Sequence, residues 1–289
     1  MNDSTFQAQT QVQTTNWQGL PAIALKLGQG DSALICLQGA QVLSWVSQGQ
    51  ERLFLSPLAA HDGRTAIRGG IPVCFPQFNQ RGPLVKHGFA RIMSWAADKA
   101  QALGNDGVQL KLRLKDTEAT RAVWPHEFEA VLTVQLTPGQ LRVELAVNNG
   151  GTQDLPFTAA LHSYLRVPDV EQAALQGLQD LSYWDAVADT HPRQQGALRF
   201  GVETDSVYPR ADEPLQLLAG DQPWLQIAQG AAWSETVVWN PGPALCATLK
   251  DMEPASWQQM LCVEAAAIDA AVIVAPGQCW KAAQHLTAH

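Results

Sequence analysis

Strict hydrophobic alternation, closely spaced turn signals and scarce helical periodicity predict an all-β chain: one large antiparallel β-sandwich with a few short helices. Three runs carry the alternation. Val108, Leu110, Leu112 and Leu114 are interleaved with Gln109, Lys111, Arg113 and Lys115; Phe128, Ala130, Leu132, Val134 and Leu136 follow, then Leu141, Val143, Leu145 and Val147. Side chains that point one way at every second residue mark half-buried antiparallel strands. Thr137-Pro138-Gly139-Gln140 reads as the hairpin turn between two of these runs, and Asn148-Asn149-Gly150-Gly151 as another turn. Only Thr117–Trp124 and Glu253–Gln259 have the composition for helices, each of about two turns. Without strand–helix alternation a doubly wound parallel sheet is excluded.

Along the chain, residues 1 to 16 are polar and rich in Gln and Thr, and are expected to be loosely ordered. They carry neither a basic n-region nor an apolar h-region, so no signal peptide is expected. Apolar runs at 22–27, 32–37, 40–46, 157–166, 235–240, 260–264 and 271–275 supply further strands. Ala265–Pro276, the longest apolar stretch, is interrupted by Asp269 and falls short of the roughly 20 residues that span a bilayer. No repeat or linker divides the chain, which predicts a single domain over residues 17–289.

The 289 residues are 46% hydrophobic, which excludes intrinsic disorder, and the net charge of −8 makes nucleic acid or an anionic membrane an unsuitable partner. Five cysteines form no CxxC pair, so a reduced, cytoplasmic setting is expected, with no zinc-site spacing and no metal. One window departs from the acidic average. Arg64, Arg68, Arg81, Lys86 and Arg91, with His87, fall in a stretch that holds no acid at all.

That window contains the densest group of chemically useful residues. Ile67-Arg68-Gly69-Gly70-Ile71-Pro72-Val73-Cys74-Phe75-Pro76-Gln77-Phe78 is followed by His87-Gly88-Phe89-Ala90-Arg91. The glycine pair allows a turn or a close backbone approach, and the prolines forbid a regular central strand. Arg68 and Arg91 offer planar forks for carboxylate or phosphate, or else are solvated loop arginines. His162, in an apolar strand, is either a satisfied core histidine or a catalyst. Glu264, ending a hydrophobic run, is either an exposed strand-end charge or a carboxylate facing a cleft. Asp205 and Trp239 complete the set, since an aromatic ring beside polar groups suits the two faces of a sugar.

Taken together, GAQVLSW (39–45), FLSP (54–57), IRGGIPVCFPQF, HGFAR, ALHSYL, TDSVY (204–208), VVWNP (237–241) and LCVEAA resemble the aldose 1-epimerase (mutarotase) superfamily. RGGIPVCFPQF with HGFAR resembles specifically its hexose-6-phosphate mutarotase branch, the glucose-6-phosphate 1-epimerases. The resemblance extends from about residue 20 to 286. It implies a galactose-mutarotase-like supersandwich that uses no cofactor and interconverts the α and β anomers of a hexose 6-phosphate by acid/base ring opening and closure. By the same resemblance His162 is the general acid and Glu264 the general base. Asp205 binds sugar hydroxyls, His87 lies near the ring, Arg68 and Arg91 hold the 6-phosphate, and Gln77 and Trp239 line the site. Many relatives have Pro-Gly where this chain has Ala265-Ala266, and Arg64 and Lys86 have no assigned role. The expected partner is a small sugar phosphate bound by a monomer. A mutarotase for unphosphorylated aldoses and a non-catalytic sugar-phosphate-binding protein are the alternatives.

Overall fold

A computed structural model describes residues 10–104 and 106–289. The described residues form three antiparallel sheets with two short α-helices, as the alternation predicts. A five-stranded sheet runs in chain order from Gln11–Trp17 to Gln50–Glu51. A ten-stranded sheet is centred on Gln222–Gln229, Cys279–Ala288, Gln140–Asn149 and Phe128–Thr137. A seven-stranded sheet carries Thr204–Pro209, Glu235–Asn240, Met260–Val274 and Leu155–Leu161 side by side.

The predicted hairpin closes as expected, with Thr137 opposite Gln140 and Pro138-Gly139 in the turn. Its core-facing residues Leu132 and Leu145 pack in one cluster with Leu286, Ile227, Val238, Leu261 and Val263, so the two larger sheets share a core. Full burial of each such side chain contributes about 1.5–3 kcal/mol. Gln284 crosses between the sheets, accepting from Ser163 Oγ at 2.5 Å and donating to the Val263 carbonyl at 2.9 Å, so its buried amide is satisfied.

Several local expectations change. The loosely ordered segment over residues 1–16 falls partly on residues 1–9, outside the described residues. Gln11–Trp17, by contrast, is a strand paired in full register with Leu20–Lys26. It is an edge strand exposed on most positions, so its polar composition hides its conformation. The apolar run 157–166 breaks into Leu155–Leu161 and Tyr164–Arg166, with His162 and Ser163 at the break. The runs 260–264 and 271–275 are one 15-residue strand, Met260–Val274. The first expected helix is present as Glu118–Val123 behind a Thr117 cap, while Ser256–Gln259 is only a 3₁₀ turn and Gly242–Cys246 is a helix the pattern did not suggest.

The glycine pair explains how the small sheet meets the site. Gly70 N donates to Phe54 O at 2.7 Å, Ile71 N to Val42 O at 2.8 Å, and Tyr164 N to Gly70 O at 2.8 Å. The segment is therefore wedged between strands of two sheets. Gly70 has φ +62°, and a Cβ there would lie 2.2 Å from the Val42 carbonyl oxygen. Gly70→Ala is expected to cost about 2–4 kcal/mol, combining left-handed strain with overpacking. Gly139→Ala has the strain alone, since φ is +72° and nothing lies within 4 Å, and should cost about 1–2 kcal/mol. Urea denaturation of the two variants checks the difference.

Candidate active site

The register of the seven-stranded sheet assembles the site in rows. Alternation along Met260–Val274 places Cys262, Glu264 and Ala266 on one face and Leu261, Val263 and Ala265 on the other. Cross-strand pairing sets Tyr164, Cys262, Trp239 and Asp205 in one row. The next row holds Glu264, Val237 and Val207. His162, two residues before Tyr164, completes that row: its Nε2 stands 3.3 Å from Glu264 Oε1. Residues 102 positions apart in the chain thus become neighbours because two strands flank a third.

Above these rows lies a cavity of about 210 Å³. It is lined by Arg68, His87, His162, Asp205, Trp239 and Glu264 among the expected residues, and also by Lys86, Asn79 and Glu203. The volume is below the roughly 300–1,000 Å³ of drug-sized ligand sites, which suits a ligand as small as one sugar ring.

His162 and Glu264 are both buried, Glu264 with 1% of its surface exposed. Burial pushes the Glu264 carboxyl well above the usual carboxylate range, and the Asp205 charge adds to this. Burial likewise holds His162 well below the ordinary histidine range, helped by His87, Arg68 and Arg91. Each group therefore favours its neutral form, and the pair holds one proton between facing atoms. Among the described residues, Glu264 Oε2 and His162 Nδ1 have no hydrogen-bond partner. A buried carboxyl oxygen left open beside a cavity is available to a ligand hydroxyl. His162 is stacked on Tyr164 at 4.7 Å between centroids, and the Trp239 ring meets both edge-on at 6.1 Å. These contacts fix the imidazole plane.

His87 has a different character. Its Nδ1 lies 3.3 Å from Cys74 Sγ and accepts from Asn79 N at 3.3 Å. The ring proton is thereby placed on Nε2. Burial and the Arg91, Lys86 and Arg68 charges lower its pKa to about 3, so it is a neutral donor rather than an acid.

The basic residues divide. Arg68 Nε donates to Asp251 Oδ2 at 3.0 Å and Nη1 to Tyr164 Oη at 3.0 Å, a braced fork with Nη2 outside both contacts. Arg91 is not among the cavity-lining residues; its Nη2 donates to the Lys86 carbonyl at 2.8 Å, and its charge disfavours protonation of His87 and His162. Lys86, which had no assigned role, lines the cavity, whereas Arg64 lies in an exposed loop organised by Asp62. Gln77 corrects the expectation of a lining residue. Its amide donates to Asn79 O and Leu84 O and accepts from Leu84 N, so it braces the 79–84 loop outside the cavity. Tyr164, Cys262 and Asp251 were missed. The first two carry a readable signal, since each sits two residues along the chain from a candidate.

Asp205 titrates higher than usual, with its pKa raised to about 6 by burial and then by Glu203 and Asp185, against Lys86 and Arg81. Between the unfolded value of about 3.9 and the folded value the native state holds the extra proton, so stability falls as pH rises through that window and then stays level. Asp205→Asn is expected to remove this fall and raise the urea midpoint at pH 8 relative to pH 4, while weakening sugar binding. A midpoint difference identical to that of the unsubstituted protein would contradict the shift.

A family model described as Aldose 1-epimerase matches residues 21–287. A Cenchrus ciliaris protein provisionally named glucose-6-phosphate 1-epimerase is 34% identical over 273 residues, covering 91% of this chain and 83% of that protein. An Escherichia coli K12 protein of the same provisional name is 35% identical over 249 residues, covering 81% and 79% respectively. The crystal structure of a Salmonella typhimurium protein provisionally described as a mutarotase superposes with a TM-score of 0.86 at 28% identity, over 96% of this chain and 94% of that one. The sandwich seen here is the architecture that the motif resemblance implied.

Proposed function

The chain belongs to the aldose 1-epimerase family, and from that premise we propose that it interconverts the α and β anomers of hexose 6-phosphates, glucose 6-phosphate foremost. The observation that carries the reading is the buried His162–Glu264 pair, 3.3 Å apart, on the wall of a sugar-sized cavity that also bears Arg68 and Lys86.

Ring opening removes the proton from the O1 hydroxyl and places one on the ring oxygen O5. Glu264 as carboxylate takes the O1 proton, and His162 as imidazolium gives its proton to O5. The C1–O5 bond breaks and C1 becomes an aldehyde. Rotation about C1–C2 presents the other carbonyl face, and O5 attacks it as both protons return. The pair holds one proton before and after, so no outside acid or base is consumed. With the cavity empty that proton is favoured on Glu264; hydroxyls of the sugar, and its negative phosphate near Arg68, favour the ionised arrangement. Each proton transfer of this kind contributes about 10²–10⁴-fold.

The remaining residues bind. Asp205 accepts from sugar hydroxyls, His87 Nε2 donates to a ring or hydroxyl oxygen, and Trp239 offers an apolar face. Arg68 and Lys86 take the phosphate, with Arg91 adding positive potential through His87. The same reading makes the protein a cytoplasmic monomer whose ligand is a small sugar phosphate. Among the described residues no helix is long and apolar enough to cross a membrane.

Arg68→Ala is the direct test. Loss of one charge-assisted contact to phosphate is expected to lower kcat/KM for glucose 6-phosphate by about 10–100-fold, mainly through KM. Glucose should change little. Equal losses on both sugars would remove the phosphate assignment and favour a mutarotase of unphosphorylated aldoses.

A further inference from the structure

We propose that Cys262, His162 and Glu264 together form a binding site for a thiophilic divalent cation such as Zn²⁺, and that the ion inhibits the enzyme by occupying its acid/base pair. The inhibitory half rests on the catalytic reading above; the binding half rests on geometry alone.

Cys262 is fully buried and lies two residues before Glu264 on the same strand face, between Tyr164 and Trp239. One ligand atom from each of the three residues lies within 4.8 Å of the other two. His162 Nε2 and Glu264 Oε1 are already 3.3 Å apart. Zinc bonds of about 2.0–2.1 Å to nitrogen and 2.0–2.2 Å to oxygen place tetrahedral ligand atoms about 3.4 Å apart, so these two need no rearrangement. The thiol closes the remaining gap by a side-chain adjustment. Glu264 Oε2 is buried and without a partner among the described residues, so no protein contact holds the carboxylate back from the ion.

The chemistry of the donor set selects the ion. One thiolate, one imidazole and one carboxylate favour zinc over the hard cations magnesium and calcium. A thiolate and a carboxylate around Zn²⁺ also sum to zero charge, which a buried site requires. On binding, the thiol proton and the proton held by the His162–Glu264 pair both leave to solvent. Three protein ligands leave the fourth position open toward the cavity, where water or a sugar hydroxyl would sit. His162 Nδ1 meets no acceptor among the described residues. An outer partner of that kind is worth about 10–100-fold in affinity, so binding here is reversible and weaker than in a dedicated structural site. The ion occupies Nε2 and a carboxylate oxygen, the two positions between which the proton shuttles, and anomer exchange stops.

Titration of the intact protein with Co²⁺ tests the site without reference to activity. One equivalent should produce a near-ultraviolet thiolate-to-cobalt absorption that Zn²⁺ abolishes by displacement. Cys262→Ser should lose that absorption and bind Co²⁺ at least tenfold more weakly. Glu264→Gln, which keeps the thiol, should retain a thiolate band at tenfold weaker affinity. Cys279→Ser, which removes the exposed thiol, should leave the wild-type titration intact. In parallel, Zn²⁺ should inhibit the wild-type protein reversibly and in competition with glucose 6-phosphate, while Cys262→Ser keeps its own zinc-free rate at the same concentration. No band in the wild type, or an undiminished band in folded Cys262→Ser, overturns the proposal. A normal cobalt titration in a protein without anomer exchange would leave the metal site standing and remove the catalytic reading instead.

Discussion

Replacing Glu264 by Gln lowers kcat for anomer exchange by about 10²–10⁴-fold, the contribution of one positioned proton-transfer group. Glutamine matches the carboxylate in shape and hydrogen-bond reach but cannot hold the O1 proton. KM should change little, because Arg68, Asp205 and Trp239 are untouched. Stability supplies the control. Glu264 is buried with its pKa driven up, so its ionisation favours the unfolded chain. Its stabilising contribution is greatest at low pH and diminishes as pH rises above the unfolded carboxylate value. The neutral amide removes that cost, and the urea midpoint of Glu264→Gln at pH 8 should equal or exceed that of the unsubstituted protein. A variant that lost activity by unfolding would show the opposite midpoint shift. Retention of more than a tenth of the wild-type kcat would mean that another group takes the O1 proton.

His162→Phe is expected to cost a similar 10²–10⁴-fold in kcat, for the complementary reason that no acid then faces O5. Phenylalanine keeps a flat ring against Tyr164 and Trp239, so the packing that orients the position is preserved. His87 cannot substitute. Its Nδ1 is taken by the Asn79 amide and set beside Cys74, whereas His162 Nε2 faces the Glu264 carboxyl at 3.3 Å and draws on the proton of that pair. If His162→Phe retained exchange while His87→Phe abolished it, the two histidines would have to exchange roles. The double variant of Glu264 and His162 should lose little more than either single one, because the two groups act as a unit.

Most of the fold was legible because half-buried strands write their faces into the sequence at period two. Leu132, Val134 and Leu136 needed nothing else. Gln11–Trp17 was not legible, since an edge strand wet on both faces has no alternation to show. Met260–Val274 looked like two strands because Asp269 interrupts an apolar run; that residue is exposed and pairs with Arg81. The site was legible where a motif named a residue, but not where pairing creates a neighbour. The approach of His162 to Glu264 depends on the strand between Tyr164 and Trp239, which no spacing discloses. Gln77 misled for a related reason: a polar residue in a motif can serve the loop rather than the ligand. Arg91 lies outside the cavity lining and donates from Nη2 to the Lys86 carbonyl, while Lys86 itself is on the cavity wall.

The basic window also acquires a physical meaning. Arg68 is anchored by Asp251 and Tyr164, so the phosphate of the proposed substrate would meet a guanidinium whose rotamer is already set. Arg81 reaches away from the cavity to Asp269 and packs over Trp184. Only part of the local charge excess faces the ligand.

The central claim is that this chain accelerates anomer exchange of a hexose 6-phosphate through His162 and Glu264. Magnetisation-exchange NMR on an equilibrium mixture of α- and β-glucose 6-phosphate measures it directly. The account predicts an exchange rate that rises in proportion to added protein and returns to the buffer rate with Glu264→Gln. Exchange at the buffer rate in the presence of the folded wild-type protein would contradict it.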